Sequence, residues 1–441
     1  AGFCAGAKVA LVFLTWRAPM LVVLGIGAVL LRPAMSTTAG WVALCGVAMV
    51  IDWWLAPRPS RLQLNRSGGT RTRPDTVLPT TLLVSNTGTR RVRGWLRDAW
   101  QPSAGARGNR HALNLPASTS HQVATTLVPT RRGMLRTDRV TVRTLGPLGL
   151  AGRQASSECT GRIRVWPAFP SMRHLPSRVA RLRELDGRAA LRIRGAGTEF
   201  DSLREYVRGD DVRSIDWRAT ARSAKVVVRT WRPERDRRIV VLIDSGRTSA
   251  ARIGEVPRLD SELDAVLLLA ALAQRAGDRV DVVAGDRVER VVLKGTHQAD
   301  AFARLQDELS AIQPQLVETN WHRLTSAALQ LGRQRSLMVL VTPIDPAVVL
   351  HSLVPALGSI ARRHHVVIAS VSDPELTEMA KTRTDTAATY AAAAAETAAQ
   401  QRRDTIQVLN TLGVEVIDAD SATLPPALAD RYLALKAAGK L

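Results

Sequence analysis

Residues able to do chemistry crowd between Gly197 and Arg222. Acids stand at Glu199, Asp201, Glu205, Asp210, Asp211 and Asp216, and bases at Arg204, Arg208, Arg213, Arg218 and Arg222. A hydrolase could draw on these acids, but no histidine or cysteine lies among them to act as a base near neutrality. Nor does the rest of the chain show a Ser-His-Asp or Cys-His arrangement, its eight histidines being scattered. The structural alternative rests on spacing. Phe200, Leu203 and Val207 fall at i, i+3, i+7, and so do Val212, Ile215 and Ala219. Gly209 between the sets suits a helix C-terminus, and Asp210 and Asp211 suit an N-cap. The pattern predicts two short helices joined by a tight turn, packed on the domain that follows. Arg204, Arg213 and Arg222 are then expected to pair with acids of the same stretch.

The elements around this stretch begin with two apolar runs, about 16–35 and 40–55. They predict a transmembrane hairpin with its turn near Ser36–Thr38 and tryptophans Trp53 and Trp54 at headgroup level. A cleaved signal peptide is the alternative, but it leaves the second run unexplained. Lys8 precedes the hairpin, and Arg58, Arg61, Arg66, Arg71 and Arg73 follow it. The positive-inside rule therefore places both termini in the cytoplasm and the chain on the cell membrane. The net charge is +22, mostly from arginine. It favours anionic partners, lipid or nucleic acid, though no basic platform with interleaved aromatics points to specific nucleic-acid binding. Cys4, Cys45 and Cys159 are too far apart to suggest a metal site or a disulfide framework.

From 58 to 168, short runs of β-type residues alternate with turn signals such as Asn86-Thr87-Gly88, which predicts a small β-sandwich. Residues 169–238 read as an arginine-rich linker, or a solvated helix, leading into the charged segment 197–222. From 239 to 441, apolar strands such as Ile239–Ile243 and Leu337–Thr342 alternate with helices, one of them Ala-rich from about Glu375 to Leu409. That order predicts a parallel sheet covered on both faces, with ligands at the carboxyl ends of its strands.

The first of these strands ends in Asp244-Ser245-Gly246-Arg247-Thr248. This resembles the metal-ion-dependent adhesion site of von Willebrand factor A domains, whose oxygen ligands suit Mg²⁺. Asp244 and Thr248 match the pattern, and Thr319 is the candidate for the later threonine. Gly246 replaces the middle serine, Thr342-Pro343 stands where the family has Thr-Asp, and Asp345 could substitute only if the loop bends. The resemblance implies a von Willebrand A-like fold with a degenerate site, able to hold Mg²⁺ only with help from a partner's carboxylate.

Taken together the chain resembles the bacterial domain of unknown function 58 family. The resemblance is carried by Arg131-Arg132-Gly133, by Gly146-Pro147-Leu148-Gly149-Leu150 and by Tyr432-Leu433 with Leu435-Lys436-Ala437. Its centre is the charged motif of Glu199, Arg204, Glu205, Tyr206, Gly209, Asp210, Asp211, Arg213, Asp216, Trp217 and Arg222. Such proteins are typically encoded beside MoxR-type AAA+ ATPases. With no phosphate-cradling G-x-x-x-x-G-K-[ST] in the chain, the resemblance implies a membrane-anchored, non-enzymatic adaptor. It would bind a MoxR-type ATPase and its client in the assembly or maturation of envelope or other protein complexes. Hydrolysis by the 199–216 acids, and binding of anionic lipid or nucleic acid, are the alternatives.

Overall fold

The computed structural model describes residues 8–192, 199–208, 210–223, 225–232, 237–295, 300–331 and 334–441. The chain divides into two compact units, Ala1–Trp166 and Pro167–Leu441.

The first unit opens with strand β1 (Lys8–Leu14) and helices α1 (Arg17–Leu31) and α2 (Met35–Leu55). Strands β2 (Leu62–Gly68), β3 (Leu78–Asn86), β4 (Val92–Trp100), β5 (Arg110–Leu115), β6 (Ser120–Leu127), β7 (Gly133–Leu145) and β8 (Ala151–Val165) follow. One sheet runs β1-β8-β7-β4-β5 and the other β2-β3-β6, with antiparallel pairing between these neighbours. Alternate residues of each strand turn inward. Leu62 and Leu64 of β2, Leu82 and Val84 of β3, Leu96 of β4 and Val140 and Val142 of β7 thus share one core between the sheets. Beside Trp100, Arg66 makes a buried two-pronged ion pair with Asp98, at 2.7 and 2.8 Å. The expectation of no disulfide is corrected: Cys159, in this core, is disulfide-bonded, while Cys45 is free. Sequence separation carries no information about which thiols the sheets bring together.

The turn between the apolar helices also moves. It lies at Arg32–Ala34, not at Ser36–Thr38, because Pro33 cannot continue a helix and restricts the residue before it. Ser36 to Thr38 form the first turn of α2 instead. The two helices pack closely where Gly25 faces Trp41; a Cβ on Gly25 would lie 2.2 Å from the indole. Apolar side chains such as Val23, Leu24, Ile26, Val47 and Val50 remain exposed. One helix, Met35–Arg61 with its 3-10 extension, is long and apolar enough to cross a membrane. At 15 residues, α1 spans about 22 Å, short of the roughly 30 Å hydrocarbon layer.

The second unit is built on a six-stranded sheet. Its strands are β11 (Arg238–Asp244), β12 (Arg279–Gly285), β13 (Glu289–Leu293), β14 (Leu337–Val341), β15 (His365–Val371) and β16 (Glu415–Ala419), in the order β13-β12-β11-β14-β15-β16. All pairs are parallel except β12 with β13, which form a hairpin. Ile239, Val241 and Ile243 of β11 join one core, and Val240 and Leu242 join the other. A strand buried on both faces must be apolar at every position, as this one is. The first core is covered by α5 (Arg258–Arg275), α6 (Ala301–Ala311) and α11 (Leu424–Ala437), the second by α7 (Trp321–Leu331), α8 (Pro346–Leu357) and α10 (Thr386–Thr411). The single Ala-rich helix of the sequence reading is two, α9 (Pro374–Lys381) and α10. They separate where the Asp385 carboxylate caps α10 by accepting from Ala388 N–H at 2.7 Å.

The linker reading of 169–238 is corrected as well. Helix α3 (Leu175–Arg192) buries Leu175, Val179 and Leu182, one helical face, in the first core, while Arg178 donates to Asp430 of α11 at 2.9 Å. Arg181 and Arg183 lie exposed on the other faces of this docked helix. The two predicted helices of the charged segment are replaced by strand β9 (Glu199–Glu205), paired antiparallel with β10 (Val227–Arg232), and by the one-turn helix α4 (Trp217–Thr220). A register shift between Phe200 and Ser202 explains the misreading. Phe200 pairs with Trp231 and Leu203 with Arg229, so three residues of sequence advance the ladder by two. A bulged strand thereby imitates helical spacing.

Candidate functional site

Strand β11 delivers Asp244 to the carboxyl end of the sheet, opposite Gly285 of β12. The side chain is fully buried. Its Oδ1 accepts from Gly246 N–H at 2.7 Å and from the Thr319 hydroxyl; its Oδ2 accepts from Thr342 Oγ1 at 2.8 Å and Thr248 Oγ1 at 3.3 Å. The four donors come from three turns of the rim. Gly246 and Thr248 follow β11, Thr319 precedes α7, and Thr342 follows β14. Burial pushes the Asp244 carboxyl above its ordinary range, and the four donors oppose that rise.

The structure thus brings Thr248 and Thr319 onto Asp244, and adds Thr342. Asp345 is a correction: its carboxylate caps α8, accepting from Ala347 N–H at 3.0 Å and Val348 N–H at 3.1 Å. The Pro that follows it suits the first turn of a helix, so Asp-Pro here is a start signal. Gly246 is where the site has closed. A Cβ there would lie 2.2 Å from Thr319 Oγ1, so a serine at this position would displace the threonine. This set does not fit Mg²⁺. Hydroxyl and amide donors take all four accepting positions of the one carboxylate, and no group of three or more His, Cys, Asp or Glu suited to a metal occurs among the described residues.

Sequence reasoning missed Glu262. It lies on α5, which is buried nearly throughout, and Glu262 itself is fully buried. Neither of its oxygens has a hydrogen-bond partner among the described residues. Burial, reinforced by the charge of Asp244, pushes its carboxyl to about 8. The only signal in the sequence is three acids, Asp260, Glu262 and Asp264, leading into the apolar run Ala265–Ala273. Asp264 is accounted for by Ser171, whose hydroxyl donates to it at 2.7 Å.

The charged segment forms a separate surface. Arg204 grips Asp210 with two bonds of 2.8 and 2.6 Å, and Val207 N–H donates to the same carboxylate at 2.9 Å. These bonds hold Asp210 below the usual carboxylate range, the Arg204 hydrogen bond first. Asp211 caps the turn 212–214. Asp216 caps α4 and accepts from Arg229 Nε at 2.8 Å, while Lys225 meets Glu205 at 2.6 Å. The expected pairing therefore holds for Arg204 but not for Arg213 or Arg222, which make no ion pair among the described residues. Gly209 lies outside the described residues. Where packing was expected, Leu203, Tyr206, Val207, Val212 and Trp217 are exposed, Trp217 at 68%. The terminal motif is structural: Tyr432 and Lys436 both donate to buried Asp278, the lysine at 2.8 Å.

An open α/β sheet with a polar rim and a charged hairpin beside it in the chain is the class these features define. The family model described as protein of unknown function DUF58 matches residues 202–411, from the hairpin to the end of α10. The family resemblance expected from the sequence is borne out over those residues. No curated protein matches it. Among solved structures it is similar to the conserved hypothetical protein BatB from Bacteroides thetaiotaomicron, at 14% identity over 46% of this chain and 99% of that one, with a TM-score of 0.31. It is also similar to the CARDB domain of the PF1109 protein from Pyrococcus furiosus, at 15% identity over 24% and 91%, with a TM-score of 0.17. Neither likeness bears on the argument at such scores.

Proposed function

We propose that the protein is a membrane-anchored, non-enzymatic adaptor that presents the hairpin of β9 and β10 to a protein partner. The observation that carries this reading is the exposure of Leu203, Val207, Val212 and Trp217 beside arginines 213 and 222. Apolar and aromatic side chains with Arg beside them are the composition of interface centres, and monomers rarely leave them open without a use. The second unit then has a von Willebrand A-like architecture. The partner is a MoxR-type AAA+ ATPase, or its client, and work comes from that ATPase.

Helices α1 and α2 form the anchor. Because β1 pairs with β8, the segments before and after the helices lie on one side of the membrane. The arginine bias assigns the cytoplasmic side. The disulfide at Cys159 argues for an oxidising compartment, and reporter fusions at the C-terminus decide between the two.

Retention of the full chain in nanodiscs by the ATPase, trapped with a non-hydrolysable nucleotide, tests the adaptor reading. Trp217→Ala with Val212→Asp should lower retention at least tenfold, whereas Asp244→Ala tests the rim as a competing face. Retention indifferent to all three changes defeats the adaptor reading. Peptide hydrolysis lost on Asp216→Asn would replace it with the hydrolase reading.

A further inference from the structure

We propose that the junction of α1, α2 and the loop Gly146–Leu150 binds one anionic phospholipid of the bilayer, its acyl chain in an apolar cavity and its phosphate between Arg17 and Arg153. The proposal rests on the anchor reading above.

The cavity is about 360 Å³, lined by Leu21 of α1, Trp41 and Cys45 of α2, and Leu148 and Leu150 of the loop. That volume lies in the range of ligand pockets, roughly 300–1,000 Å³. No charged side chain lines it. It is bounded by helices whose other faces are already apolar and exposed, so an acyl chain passes into it without crossing polar surface.

Charge sits beside it. Arg17 opens α1, and its Nη1 would lie 3.1 Å from a Cβ on Gly149, so the guanidinium rests against the loop. Arg153 donates to the Trp53 carbonyl at 3.2 Å and stacks 4.8 Å from the Trp53 ring. Partial burial first, and then the charge of nearby Arg58, pull Arg153 below its ordinary value. None of Arg17, Arg58 and Arg153 has a carboxylate partner among the described residues. The acid at this place, Asp52, is buried and spends both oxygens on the amides of Leu148, Leu150 and Ala151. Trp16 and Trp54, both exposed, stand at the same end of the helix pair, the depth at which indoles meet headgroups. A phosphate at that depth supplies the missing anion.

Cys45 is a native reporter of occupancy, being free and in the cavity wall. The full chain would be placed in nanodiscs of phosphatidylglycerol or of phosphatidylcholine and labelled with N-ethylmaleimide, the Cys45 peptide being followed by mass spectrometry. Labelling at least tenfold slower in phosphatidylglycerol is expected. Arg17→Gln, and separately Arg153→Gln, should restore the phosphatidylcholine rate with an unchanged thermal midpoint. Leu148→Trp, which fills the cavity, should remove phosphatidylglycerol adducts from native mass spectra. Equal labelling in the two lipids overturns the site while leaving the anchor standing. So does protection in lipid-free detergent that grows with protein concentration, which would indicate a second copy in the cavity. A chain that never enters the nanodisc overturns the anchor and the site together.

Discussion

Asp52 in the first unit and Asp244 in the second are both completely buried and held in different ways. Asp52 accepts from three backbone amides at 2.7–2.9 Å. Asp244 accepts from one amide and three threonine hydroxyls. An amide can only donate, and its direction is fixed by the chain. A hydroxyl can rotate and can accept as readily as it donates. The first arrangement therefore locks a loop to a helix, and Gly146 shows how tightly: a Cβ there would sit 2.2 Å from Asp52. The second arrangement can be rewired without moving the backbone.

The largest effect is expected at Asp52. Asp52→Ala strands three donors at about 1–3 kcal/mol each, a loss on the order of 5 kcal/mol. Hydrogen exchange at the amides of Leu148, Leu150 and Ala151 should accelerate sharply; unchanged protection would remove the distinction between the two sites. Next comes Glu262, the neighbour that Asp52 lacks. Its folded value is about 8 against an ordinary 4.5. Below 4.5 both folded and unfolded chains hold the proton. Between those values the unfolded chain ionises and the folded one does not, so stability falls as pH rises, and it levels off above the folded value. Glu262→Gln should therefore stabilise the protein at pH 8 by on the order of a few kcal/mol, with little change at pH 4. Identical pH slopes in the denaturation of the two proteins would show that Glu262 is not held neutral.

A smaller effect sharpens the comparison directly. Asp244→Asn should cost only about 1–2 kcal/mol, because Thr248 or Thr342 can turn to accept from the new amide. Asp52→Asn sets an N–H donor against fixed N–H donors and should approach the cost of Asp52→Ala. Equal thermal shifts for the two asparagine variants would refute the contrast. The smallest effect is expected at Arg204→Ala, whose pair with Asp210 is exposed and solvent-screened. The thermal midpoint should stay within error, and a clear drop would mean that the hairpin is packed more firmly than its exposed side chains indicate.

What the sequence made legible follows from what is periodic. Unbroken apolar strands such as Leu337–Val341 and the β12–β13 hairpin were readable because burial on both faces and a Gly-Asp turn leave a local mark. The convergence of Thr248 and Thr319 on Asp244 could be reached through the motif. The bulge in β9 could not, since its spacing is the same as that of a helix turn. Asp345 looked like a ligand because a cap and a ligand are the same residue type in the same kind of loop. Asp52 was hidden for another reason: the amides that hold it lie 96 to 99 residues further along the chain.

The pairing of β1 with β8 dictates an order of events during synthesis. Strand β1 leaves the ribosome before the other strands of the first unit, yet its partner is the last strand of the sandwich. Both apolar helices must leave the ribosome before that partner exists, and the loop to be closed spans nearly the whole first unit. Until then β1 has no partner and the edge of β7 is open to any other extended chain. The N-terminal segment therefore acts as a latch that shuts only after everything between has been made, and a nascent chain that pauses before β8 is the form most exposed to mispairing.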